Sequence, residues 1–181
     1  VYIDSKTEEL IQTVDGFPAL ISDPWLNGFL TAIHACTDIW ACGATVVSAQ
    51  PVITLPLTSS EVQKELLTQT IAGIHAALEP QGAGLIGGHT LEARSFAPDP
   101  ISLGIQVELS VNGRFAAQAS FWKKSGMQSG DVLLLSKLIG TGVIFAAAME
   151  GGSSKFVDEA ISQMVLSQHE LLESIFALRS E

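Results

Sequence analysis

The chain has 181 residues, 47% of them hydrophobic, which is enough to bury the core of one domain, or of one domain plus part of a second. Nine Lys and Arg stand against 19 Asp and Glu, a net charge of −10, and apart from Lys123-Lys124 the cations are scattered, so the concentrated positive footprint that nucleic acid demands is missing. No run approaches the roughly 18 apolar residues of a membrane span, and the first residues lack a basic-then-apolar leader pattern, so the sequence reads as cytoplasmic, with no membrane partner.

Val1-Tyr2-Ile3 and Leu10 to Val14 read as two short strands joined by a polar stretch that suits a hairpin. Asp15 stands at the exit of the second, beside Gly16, a common setting for a turn carboxylate. Its position raises its interest, because the chain then passes Pro18 and Asp23-Pro24 straight into the stretch from Leu26 to Gly43. Leu26, Phe29, Leu30, Ile33, Ile39 and Trp40 recur there at helical spacing and predict a helix lying on a sheet. Asp38 interrupts that stripe. A carboxylate among apolar neighbours is costly unless a cation or hydrogen bonds compensate it, so a positive partner is expected. Cys36 and Cys42 fall on different sides of the same helix and read as small buried apolar residues, neither a disulfide nor a metal pair.

Thr45 to Leu57 is β-rich, and Pro51 inside it hints at an edge strand or a bulge. Thr58 and Glu61 form a capping pattern for a helix running to about Leu78, with His75 on its surface flank. After Glu79-Pro80-Gln81-Gly82, a short buried strand from Ala83 to Ile86 enters Gly87-Gly88-His89-Thr90. Consecutive glycines let backbone N–H groups converge on an anion, although Gly-Gly turns are also common. A glycine kept for a ligand would accept a side chain without loss of stability, whereas a turn glycine would not. Leu91 to Pro100 reads as a loop, and Ile101 to Val111 as an amphipathic strand closed by an Asn112-Gly113 hairpin turn. The apolar face of that strand predicts a homodimer built by strand pairing.

Composition changes near Ala119 to Gly126, which divides the chain into residues 1–122 and residues 123–181, the second being only the start of a domain. Val132 to Leu135 reads as a strand, and Gly140-Thr141-Gly142 as a strand-to-helix turn opening a helix through Ala148. It lacks both the GxGxxG spacing and the P-loop lysine. Ser153 to Arg179 reads as one long helix or two, and with no cap signal at either end the chain reads as a fragment.

Taken in order, QTVDGF with Asp15, SDPWLNG, HACTDIWACG with Asp38, LIGGHT, and SGMQSGDVLLLSKLIGTGV resemble selenophosphate synthetase (selenide, water dikinase), within the aminoimidazole ribonucleotide synthetase-like superfamily. Each block alone is weak, but the ordered series is specific and spans nearly the whole chain. The resemblance implies an α+β fold: an N-terminal ATP-binding and dimerisation domain with a mixed sheet, helices on one face and a half-barrel completed by dimerisation, then the beginning of an α/β C-terminal domain. It implies use of Mg²⁺ and ATP to make selenophosphate from selenide and water, with release of AMP and orthophosphate.

By the same resemblance, Asp15 contacts the nucleotide side, Asp38 binds both metal and ATP, and Gly88, His89 and Thr90 reach the ATP of a partner subunit. The family's reactive Cys or selenocysteine and its Lys match positions before Val1, so no catalytic residue is assigned here and the fragment alone is expected to be inactive. His34 stands where the family usually carries Asn, and Trp25 to Gly28 also depart from the usual pattern. Two alternatives are another ATP-dependent small-molecule kinase or synthetase of the superfamily, and a non-catalytic copy kept for nucleotide binding or dimerisation.

Overall fold

The apolar stripe that predicts a helix from Leu26 becomes α1, Pro24–Ala41, in a computed structural model that describes residues 2–4, 10–94, 104–115 and 121–179. Asp23 caps it by accepting the Leu26 N–H at 2.8 Å, and Pro24 fills the first turn, where its missing N–H costs nothing. Its buried side, including Leu30, Ile33, Ile39 and Trp40, packs on a sheet and on a second helix, α2, Ser60–Leu78. The cap of α2 is Ser59 and not Thr58, because it is the Ser59 hydroxyl that accepts the Val62 N–H. His75 is exposed on α2, as its position off the apolar stripe implies.

Among the described residues six strands make one mixed sheet: β1 Tyr2–Asp4, β2 Leu10–Phe17, β3 Thr45–Leu55, β4 Gly84–Leu85, β5 His89–Glu92 and β6 Gln106–Arg114. The order is β1-β2-β6-β3-β4 with antiparallel neighbours up to β3, while β4 and β5 lie parallel to β3 along the same edge. Alternation sorts the side chains. Ile11 and Thr13 of β2, Val107, Leu109 and Val111 of β6, and Ile53 and Leu55 of β3 are buried on the face that α1 and α2 cover. On the other face Gln12 donates to Asn112 at 2.9 Å and Asn112 to Ser48 at 3.1 Å, a polar row across three strands.

Several expectations are corrected here. The apolar residues of β6 are covered by the helices of their own chain, so they give no argument for a dimer, and the face of β6 turned away from the helices carries Gln106, Glu108, Ser110 and Asn112. Asn112-Gly113 makes no turn: both lie inside β6, and Gly113 is small because Ile39 of α1 presses on it. Pro51 sits in an interior strand, and the bulge of β3 lies at Val46/Ser48 instead. The expected buried strand from Ala83 to Ile86 shrinks to two residues, with Ile86 63% exposed. The loop expected from Leu91 starts later, because Leu91 and Glu92 belong to β5, and the strand expected from Ile101 starts at Gln106; residues 95–103 and Ala119 lie outside the described residues.

Contacts divide the chain into two compact units, Val1–Trp122 and Lys123–Glu181. The second holds α3 Thr141–Met149, α4 Val157–Met164 and α5 His169–Arg179, so the last stretch forms two helices. Val132 to Leu135 forms no strand there, since no described strand of that unit lies beside it to complete a ladder, and its side chains are 69–92% exposed.

Candidate nucleotide and metal site

Two periodicities converge where α1 crosses β2. Thr13 and Asp15, two apart on a strand, share one face, and His34 and Asp38, four apart on a helix, share another. The faces meet. The Thr13 hydroxyl donates to Asp38 Oδ2 at 2.8 Å, and His34 Nε2 lies 3.0 Å from Asp15 Oδ2. Asp15 Oδ1 accepts the Gly16 N–H at 2.7 Å, and the Phe17 ring stacks on the His34 imidazole at 4.4 Å between centroids.

Asp38 therefore has a hydroxyl beside it where a cation was expected, and the His34 imidazole serves Asp15 instead. The half-buried setting of Asp38 makes this tolerable, because water reaches a carboxylate that one hydroxyl only partly satisfies. Asp15 is not a turn residue either. It lies inside β2, and Gly16 pairs with Glu108, where any side chain would come within 2.5 Å of the Val107 carbonyl oxygen. At the same end of the sheet, Val14, Gln106 and Glu108, which stand on the face turned away from α1, line an open cleft of about 340 Å³ with Asp15, Gly16, Phe17 and Pro18.

The glycine turn lies at the far edge. Ala49 and Leu55 of β3 accept N–H groups of Ile86 and Ala93, so alternate residues of β3, Pro51 among them, face that edge. Pro51 has no N–H to offer, and it is opposite Pro51 that the edge strand breaks between β4 and β5 at Ile86-Gly87-Gly88. Gly88 adopts φ +150°, and a Cβ on it would stand 2.6 Å from the Pro51 carbonyl oxygen, so the backbone alone accounts for glycine there. His89 and Thr90 open β5, and the stretch lines an open cleft of about 320 Å³ with Pro51, Ile53, Ile71 and Leu85.

Pairing runs Gly16–Glu108–Val52–His89 across one row of the sheet, which sets His89 level with the Asp15 corner but three strand spacings, roughly 14 Å, away. The fold thus joins Asp15 to Asp38 and leaves Gly88, His89 and Thr90 apart from both. Sequence reasoning missed Thr13 and the contact of His34 with Asp15; the signal lay in their offsets of two from Asp15 and four from Asp38.

Residues 1–109 match the family described as AIR synthase related protein, N-terminal domain. The chain belongs to that family. Within it, the chain is 30% identical over 161 residues to a selenide, water dikinase of Pelobacter propionicus, covering 89% of this chain and 43% of the relative. It is 32% identical over 142 residues to one of Nitratidesulfovibrio vulgaris strain DP4, covering 78% and 37%. The chain spans less than half the length of these curated relatives.

The same fold occurs in thiamine monophosphate kinase of Aquifex aeolicus, with a TM-score of 0.69 at 16% identity, covering 93% of this chain and 56% of that one. A further structure shows that kinase complexed with AMPPCP and TMP. E. coli HypE, a hydrogenase maturation protein, has a TM-score of 0.62 at 16% identity, covering 81% of this chain and 44% of the other. These proteins share the fold of the chain, and its mixed sheet with helices on one face is the α+β domain expected of the family. Among the described residues no helix is long and apolar enough to cross a membrane.

Proposed function

We propose that the full polypeptide carrying this chain makes selenophosphate from selenide and water at the expense of ATP, releasing AMP and orthophosphate, and that residues 1–122 supply part of its nucleotide site. The observation that supports this most is the convergence of Asp15 and Asp38 at one half-exposed corner in a chain about 30% identical to selenide, water dikinases. The residues present suit Mg²⁺ in one particular way. No group of three or more His, Cys, Asp or Glu placed to hold a metal occurs among the described residues, so these residues alone build no closed cage. A magnesium ion held by one or two carboxylates and completed by phosphate oxygens needs no cage, and Asp38 supplies a hard oxygen for it.

When bound, the ion would neutralise phosphate charge that a chain of net charge −10 repels. Thr13 keeps the Asp38 carboxylate directed, and Asp15 offers acceptor oxygens to the nucleotide. The Gly88-His89-Thr90 edge, roughly 14 Å across the sheet, fits a contact with the nucleotide of a second subunit in a homodimer better than one with its own corner.

A second reading follows from the fold shared with thiamine monophosphate kinase: transfer of one phosphoryl group to another small molecule. The products separate the two. Incubating the full polypeptide with Mg²⁺, ATP and selenide should yield AMP and orthophosphate in a selenide-dependent manner. Formation of ADP, or nucleotide turnover indifferent to selenide, would reject the dikinase reading.

A further inference from the structure

Asp15 is held from two sides. The Gly16 N–H reaches Oδ1 at 2.7 Å and His34 Nε2 lies 3.0 Å from Oδ2, while the imidazole is itself held against the Phe17 ring at 28° between planes. Neither partner fills the core, the side chains of His34 and Asp15 being 43% and 36% exposed. Exposed pairs of this kind contribute little to stability, so the pair does more to place the carboxylate than to hold the fold.

We propose that His34 is a positioning residue for Asp15. By donating from Nε2 it holds the carboxylate as a hydrogen-bond acceptor at the exposed corner where α1 meets β2, the same corner that holds Asp38. A carboxylate so held, with one donor already on each oxygen, selects ligands that present further hydroxyl or amino donors. The ligand class named here, a nucleotide held by its ribose hydroxyls, rests on the nucleotide reading above. Phe17 keeps the imidazole from swinging away, so the device runs through three residues brought together only by the α1–β2 crossing.

The test uses the full polypeptide, with AMPPCP and its 2′,3′-dideoxy form as probes. His34→Ala should weaken AMPPCP binding roughly three- to tenfold and shrink the preference for the ribose form over the dideoxy form by a similar factor, with the melting temperature nearly unchanged. His34→Gln, whose terminal amide N–H₂ occupies the place of Nε2–H, should restore both, whereas His34→Asn is too short to do so. Equal affinity and equal preference in His34→Ala would overturn the proposal. Ring ¹⁵N shifts of His34 in ligand-free protein give an independent measure: Asp15→Asn should move them, and an unchanged spectrum would remove the pair itself. Failure of the unaltered protein to bind AMPPCP would sink the nucleotide reading and the ligand named here, while the ¹⁵N comparison would still decide whether His34 holds Asp15.

Discussion

The two ends of the sheet are built by opposite means. At the β2 end, geometry is set by side chains: Thr13, Asp15, His34 and Asp38 reach one another across a strand–helix contact, and the backbone beneath them is an ordinary antiparallel ladder. At the β5 end the backbone sets it, because Pro51 withholds a ladder donor and Gly88 bends against the Pro51 carbonyl in a conformation open only to glycine. Substitutions should therefore separate the two ends. Side-chain changes at the corner should alter chemistry with little cost to folding, and a single methyl at the edge should alter folding whatever it does to ligands.

The largest contrast is expected at Asp38. In the full polypeptide Asp38→Asn should lower Mg²⁺-dependent ATP turnover by roughly 100-fold or more, since even groups one step removed from a metal cost 10–100-fold. The fold should persist, because the amide oxygen can still accept from the Thr13 hydroxyl. A folded variant with near-normal turnover would remove Asp38 from the metal side.

Gly88→Ala comes next, with an expected loss of about 1–3 kcal/mol in urea unfolding from the left-handed conformation and the clash with Pro51. Unchanged stability there would break the contrast drawn between the ends and return Gly88 to the role of a ligand cradle alone.

A third effect falls on neither end. Burial pushes the Cys36 thiol up from 9.0 to about 12, so above pH 9 the unfolded chain gains an ionised thiol that the folded chain does not. The raised value leaves stability intact below pH 9 and erodes it by about 1.4 kcal/mol per pH unit as pH climbs from there toward about 12. Urea midpoints on either side of pH 9 measure this slope, and Cys36→Ala should flatten it. Smallest is Thr13→Val, which removes one hydrogen bond to a half-buried carboxylate and should cost about 0.5–1.5 kcal/mol of stability. It should also loosen Asp38, so a matching fall in Mg²⁺ affinity, restored in Thr13→Ser, would sharpen the picture of a side-chain-built corner.

Much of this fold was legible beforehand for physical reasons. The α1 stripe and the α2 stripe are period patterns long enough to resist accident, and both helices end within two residues of where caps and apolar spacing placed them. Local turn chemistry misled where packing overrode it. Asn112-Gly113 carries the strongest hairpin signature in the chain, yet it runs straight through β6 because Gln12 and Ser48 pair with it on both sides and Ile39 needs the space at Gly113. Val132 to Leu135 shows the converse: β propensity without a neighbouring strand makes no strand.

By itself the sequence determined the family, the two helices with their buried sides, and the presence of two carboxylates and a glycine pair worth watching, since composition, period and motif order are all properties of a linear chain. Only the tertiary structure decided which of these meet. Asp15 and Asp38 are 23 positions apart in sequence, and their shared corner exists because α1 packs across β2 so that an i, i+2 pair meets an i, i+4 pair. Strand order is likewise a long-range property. It inserts β6, from the far end of the domain, between β2 and β3, and so holds the Gly88 edge apart from the carboxylates to which motif order had joined it.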